Sequence, residues 1–266
     1  MERRYAGGEL GAGQGPSQPA PARDLGGGVR AAALLDLLPE LGEQLSPSDW
    51  SRARLSSLVQ VEAFGTGEWV PHVARRHCRP DTALLLTDGV LVRELHVAGR
   101  AFAELLGAGD VIYPWAAPTS ARTPTATWRA LLPGTLAVVD ELLLARVAPY
   151  PSVALGLARL ATLRARFLEA LAITRRLRRV EPRLLFVFAL LAERWGRVTP
   201  DGVAVPLPLG HELLARLVGA RRPAVTTALG RLRERGALTQ LDDGWLLALD
   251  QIGAVTLEPH GTLDPT

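Results

Sequence analysis

The chain has 266 residues, with 30 basic residues against 27 acids, a net charge of +3; every basic residue is arginine, which reads as a coding bias. One cysteine, Cys78, excludes an internal disulfide, a thiolate zinc site and a four-cysteine iron–sulfur cluster. The longest apolar runs, Leu184–Ala192 and Trp245–Leu249, fall short of the roughly 18–20 residues that cross a membrane, and no apolar leader opens the chain, so a cytoplasmic protein without metal or cofactor is expected.

Residues 1–30 hold eight glycines and three prolines and read as a disordered tail. Residues 31–45 suggest one or two short helices broken at Pro39, and residues 48–58 another with Ser48 as N-cap. From Val59 to Asp140 short β-rich runs alternate with turn signals at Gly65–Gly67, Asp88–Gly89, Gly107–Asp110 and Pro133–Gly134. The runs are Thr82–Thr87, Val90–His96, Val111–Tyr113, Thr125–Leu132 and Thr135–Val139, spaced as in a small β-roll.

Residues 153–180 lack proline, and Leu160, Leu163, Phe167, Ala170, Thr174 and Leu177 recur at a 3,4 spacing. One long helix with an apolar seam follows. Because two-fold dimers dominate among oligomers, the seam is expected to pack on a second copy through Leu157, Leu160, Leu163, Phe167, Leu171 and Thr174. The competing reading lays it on its own roll. Glu181–Pro182 starts a helix that is apolar nearly all round and stops at Gly196, and Arg197–Leu207 reads as a hairpin turning at Pro200–Gly202.

Residues 211–235 then give two short helices. The first carries Leu213, Leu214 and Leu217 and stops at Gly219; the second has Pro223 in its first turn and buries Val225, Ala228, Leu229 and Leu232. Two helices around a tight glycine turn make a helix-turn-helix. In that motif the start of the second helix enters the DNA major groove. Its solvent side would read bases through Arg222, Pro223, Thr226 and Thr227. Arg216, Arg221, Arg231 and Arg233 fit phosphate contacts, which position without specifying. Leu238–Gln240, a turn at Asp242–Gly244 and Trp245–Leu249 form a wing with an acidic tip.

Charge follows the same division. Residues 1–152 are −2, residues 153–180 are +6, and residues 211–235 are +4. A basic late segment on a neutral chain marks a nucleic-acid face, or a solvated helix surface.

With these residues in place, the chain resembles the Crp/Fnr family of bacterial transcription regulators. The resembling strings are Leu105-Leu-Gly-Ala-Gly-Asp110, Val180-Glu-Pro-Arg-Leu-Leu185, Leu191-Ala-Glu-Arg-Trp-Gly-Arg-Val198, Asp201-Gly-Val203 and Leu217-Val-Gly-Ala-Arg-Arg-Pro-Ala-Val225. The resemblance implies an α+β chain. Its parts are a cyclic-nucleotide-binding-like β-roll sensor over 31–152, a dimerisation helix over 153–180, a winged helix-turn-helix over 181–250 and a tail over 251–266. It implies that Arg222, Pro223 and Thr227 take base-reading positions. The implied partners are double-stranded DNA, a second copy, RNA polymerase and a small-molecule effector.

The chain departs from that pattern where cyclic-nucleotide binders hold phosphate. No Gly-Glu pair follows Asp110, and Arg122–Thr123 is followed by Pro124, within a stretch of three prolines between 114 and 124. Proline removes backbone donors, which argues against a cyclic nucleotide. His72, His77, His96 and Cys78 leave haem or redox sensing open. No catalytic triad, metal-ligand spacing or phosphate-cradling loop is present, and Asp140–Glu141 reads as a helix start, so no enzyme is expected. The expected function is a homodimeric sequence-specific DNA-binding regulator. The alternative is a sensing or interaction module whose helix-turn-helix no longer binds DNA.

Overall fold

The computed structural model describes residues 29–69, 82–97, 99–113 and 125–251. The tails, Cys78, His72, His77 and the stretch with Arg122–Thr123 lie outside the described residues.

The N-terminal half is an antiparallel sheet. Its main path runs β1 (Val29–Ala33), β2 (Leu58–Phe64), β7 (Thr125–Val139), β4 (Ala83–Val97) and β5 (Arg100–Leu106), while β3 (Gly67–Glu68) joins β7 and β6 (Val111–Ile112) joins β4. Side-chain alternation assigns the faces. Leu84 and Leu86 point into a core with Phe64, Trp69, Leu91, Leu106, Ile112 and Leu136. Leu85 points the other way, into a second core with Val59, Val61, Ala137 and the flanking helices.

Two expected turns are bulges. Asp88–Gly89 and Pro133–Gly134 lie opposite each other inside the continuous strands β4 and β7, where the register shifts between Leu86 and Leu91. Gly89 has φ +82°, and a Cβ there would come 2.5 Å from the Pro133 carbonyl oxygen. The glycines allow a close cross-strand approach, so the ladder resumes instead of turning back. Strands β1, β2 and β5 are absent from the runs expected from sequence. β1 (VRAAA) forms by pairing with β2, a contact 25 residues or more along the chain.

The helical segments also differ in detail. Residues 34–37 form α1 (Leu34–Leu37) and Pro39–Gly42 a 3-10 turn, preceded by β1 where only helix was expected. The helix α2 (Pro47–Ser56) is capped by Ser46, not Ser48: the Ser46 hydroxyl accepts the Asp49 N–H at 3.1 Å, and Pro47 fills the first turn. Asp140 caps α3 (Glu141–Val147), its carboxylate accepting the Leu143 N–H at 2.8 Å.

The long helix α4 spans Pro151–Thr174 and does not reach residue 180. The Thr174 hydroxyl donates to the Ala170 carbonyl at 2.7 Å, and Arg175 turns away to donate to the carbonyls of Leu217 and Ala103. A side chain drawn to other elements at this point accompanies the end of the helix. A short turn leads to α5 (Val180–Trp195), then the hairpin β8 (Arg197–Thr199) and β9 (Gly202–Val205).

Roll and C-terminal domain share one apolar core. Val90, Val92, Ala103, Leu105 and Leu131 of the sheet cluster with Leu171 of α4, Phe188 and Leu191 of α5, and Leu213, Leu217, Val225 and Trp245 beyond. Beside it lies a polar junction. Asp110, 2% exposed, accepts the Gly107 N–H at 2.9 Å and pairs with Arg194 of α5 at 2.7 Å and Arg164 of α4 at 3.5 Å. Arg164 also holds Glu104 at 2.7 Å. Burial pushes the Arg164 guanidinium below its ordinary range, and Asp110 and Glu104 oppose that shift.

Candidate nucleic-acid interface

The C-terminal domain builds its exposed surface from two helices. The first, α6 (His211–Val218), buries Leu213, Leu214, Ala215, Leu217 and Val218. It ends at Gly219 with φ +65°, a left-handed stop, and the Ala220 N–H bonds the Ala215 carbonyl at 2.9 Å. The second, α7 (Arg222–Glu234), buries Val225, Ala228, Leu229 and Leu232, the face read from their spacing. Gly236 ends it at φ +69°. The strands β10 (Leu238–Gln240) and β11 (Trp245–Leu247) pair with Gln240 opposite Trp245, and β11 continues onto β9. Trp245 anchors this wing: its indole N–H donates to the Leu209 carbonyl at 3.1 Å, and its ring lies 5.2 Å from that of Phe188.

The four residues expected to read bases share one exposed face. Arg222, Pro223, Thr226 and Thr227 are all exposed at the start of α7. Thr227 donates its hydroxyl proton to the Pro223 carbonyl at 3.1 Å, and the Thr226 hydroxyl shares a hydrogen bond with His211 Nδ1 at 2.9 Å. Both hydroxyls are therefore oriented from within the motif. His211 was not singled out from sequence, because its contact with Thr226 crosses from one helix to the other.

The four expected phosphate contacts divide. Arg221 and Arg233 are exposed and have no ion-pair partner among the described residues. Arg216 is held by Glu94 of β4 and, at 3.3 Å, by Glu212. Arg231 meets Glu181 at 3.0 Å. Arg216 and Arg231 thus spend part of their five N–H donors on carboxylates, which compete with the expected phosphate contacts.

The seam of α4 divides as well. Leu171 and Thr174, 3% and 1% exposed, sit in the chain's own core and present no surface to a second copy. Leu157 and Leu160 pack beneath α1 and the roll, and the Phe167 ring meets Trp195 edge-on at 6.2 Å. Only Leu163, 50% exposed, remains free of the six. A different stripe is open: Leu155, Leu163 and Ile173 are exposed, with Leu177 just past the helix end. At 3.6 residues per turn the three helical positions fall within roughly 80° of arc.

Comparison with known proteins agrees with this geometry. Residues 182–251 match the Crp-like helix-turn-helix domain family. The regulatory protein CysR of Synechococcus elongatus is 34% identical over 80 residues, covering 29% of this chain and 39% of the relative. The chain thus spans under two fifths of that curated relative's length. A cyclic nucleotide-binding domain containing protein from Listeria monocytogenes superposes with a TM-score of 0.60 at 14% identity, over 83% of this chain and 98% of that one. A transcriptional regulator of the CRP family from Thermus thermophilus superposes with a TM-score of 0.53 at 18% identity, over 73% and 94%. At those identities the structures show a shared fold. Residues 182–251 thus carry a Crp-like helix-turn-helix domain, and the chain as a whole shares the fold of these structures.

Proposed function

We propose that this chain is a homodimeric, sequence-specific DNA-binding transcription regulator. The observation that carries the reading is the exposed Arg222–Thr227 face at the start of α7, with buried residues only on its opposite side. An arginine fork can hold guanine O6 and N7 by two parallel bonds, and a threonine methyl can meet a thymine methyl. The match of residues 182–251 to a Crp-like helix-turn-helix and the likeness to known regulators support it.

Dimerisation is assigned to the outer stripe of α4, Leu155, Leu163, Ile173 and Leu177, in place of most of the inner seam. Two copies joined there would set two reading helices into successive major grooves about 34 Å apart. As a regulator, the dimer acts with RNA polymerase, and the roll is the domain through which a small-molecule effector would act. That effector has no assigned site, and the protein has no assigned catalytic role.

The test is selection of binding sites from random duplexes, followed by the same selection with Arg222→Ala. The native chain is expected to enrich a two-fold site, and the variant to lose preference at one position per half-site. Enrichment of no site by the native chain at low salt would favour a module that has lost DNA binding.

A further inference from the structure

The run Arg175-Arg-Leu-Arg-Arg179 joins α4 to α5, and on a helix running to residue 180 its cations would sit at the helix C-terminus. The structure gives it a different setting. The helix stops at Thr174, and the guanidiniums that satisfy carbonyls around this turn are those of Arg175 and Arg183. Arg176, Arg178 and Arg179 are exposed and have no side-chain partner among the described residues.

Their position is defined by Arg183. Its Nε donates to the Leu177 carbonyl at 2.6 Å, while its Nη1 lies 3.4 Å from the carbonyls of both Val218 and Gly219. One guanidinium therefore spans the arginine run and the glycine turn of the helix-turn-helix. The Gly219 turn leads directly to Arg221 and Arg222, which are also exposed and unpaired among the described residues. The nearest acid in sequence, Glu181, does not neutralise the run, because Arg231 and Arg235 occupy its two oxygens at 3.0 and 3.3 Å.

We propose that Arg176, Arg178 and Arg179 continue the surface of Arg221 and Arg222 as a second DNA contact, one that grips phosphates. The proposal rests on the DNA-binding reading above. Clustered like charges repel, and a run left unpaired in the free chain is relieved when phosphates neutralise it. Exposed, rotatable arginines without a fixed acceptor suit backbone contact, which needs charge and reach but no fixed register. Continuity with the base-reading end of α7 selects duplex DNA as the polyanion.

The experiment measures the affinity of the full chain for a duplex carrying its selected site across a salt series. Three chains are compared: native, Arg176→Ala/Arg178→Ala/Arg179→Ala, and Arg216→Ala. Each neutralised phosphate contributes a log–log slope of about 0.9, so the triple variant should lose about 2–3 from the slope per bound protomer. Its base preference should stay native, Arg216→Ala should keep the native slope, and the corresponding triple lysine variant should retain it too. If the triple alanine chain does not fold, each single alanine variant should remove about 0.9. Native slopes in folded alanine variants overturn the proposal, as does a loss confined to anionic vesicles with duplex binding unmoved. A native chain that binds no duplex at low salt overturns the DNA reading itself, and this proposal with it.

Discussion

Single residues carry the reading chemistry, and their neighbours decide which can act. Arg222 is exposed, with no ion-pair partner among the described residues, whereas Arg216 is drawn toward Glu94 on the roll. Arg222→Ala should therefore cost about 1–3 kcal/mol of discrimination at one base position, measured by competition between the selected duplex and single-base variants. Glu94→Gln should release Arg216 from its strongest partner. The expected result is a steeper salt dependence of DNA binding with base preference unchanged, read from the same titrations. Thr226 shows the limit of reading residues singly. Its place on the exposed face follows from helical spacing, but its bond to His211 depends on how two helices cross.

At the scale of elements, periodicity located helices and strands but did not say what each face meets. The 3,4 spacing along α4 describes a real apolar seam, and most of that seam lies against the chain's own cores. The open stripe is less obvious in sequence because Arg159 and Arg166 interrupt it. Replacing both Leu155 and Ile173 by arginine should dissociate the proposed dimer while leaving the fold intact, checked by sedimentation equilibrium and circular dichroism. Loss of folding together with assembly would instead place those residues in the core. The bulge offers a second check. Gly89→Ala sets a Cβ against the Pro133 carbonyl at positive φ, and should destabilise by about 1–2 kcal/mol or more in urea unfolding.

Across the whole molecule, Asp110 joins the three parts. It belongs to the roll, yet it accepts from Arg164 of the long helix and Arg194 of the helix-turn-helix domain. Removing one partner of a buried ion pair leaves uncompensated charge, so Asp110→Ala should cost about 3–5 kcal/mol in chemical denaturation. A single unfolding transition in both chains is expected, since one apolar core runs from Val92 to Trp245. The sequence by itself determined the helix-turn-helix, its buried Val225–Leu232 face and its exposed Arg222–Thr227 face, because local periodicity, glycine stops and a first-turn proline are short-range physics. It also determined that the N-terminal half is strand-rich. Only the tertiary structure decided that Asp88–Gly89 and Pro133–Gly134 are bulges, which face of α4 is free, and which arginines remain unpaired. Those outcomes depend on partners tens of residues away, and an arginine's spacing along a helix does not reveal whether a carboxylate from another element will reach it first.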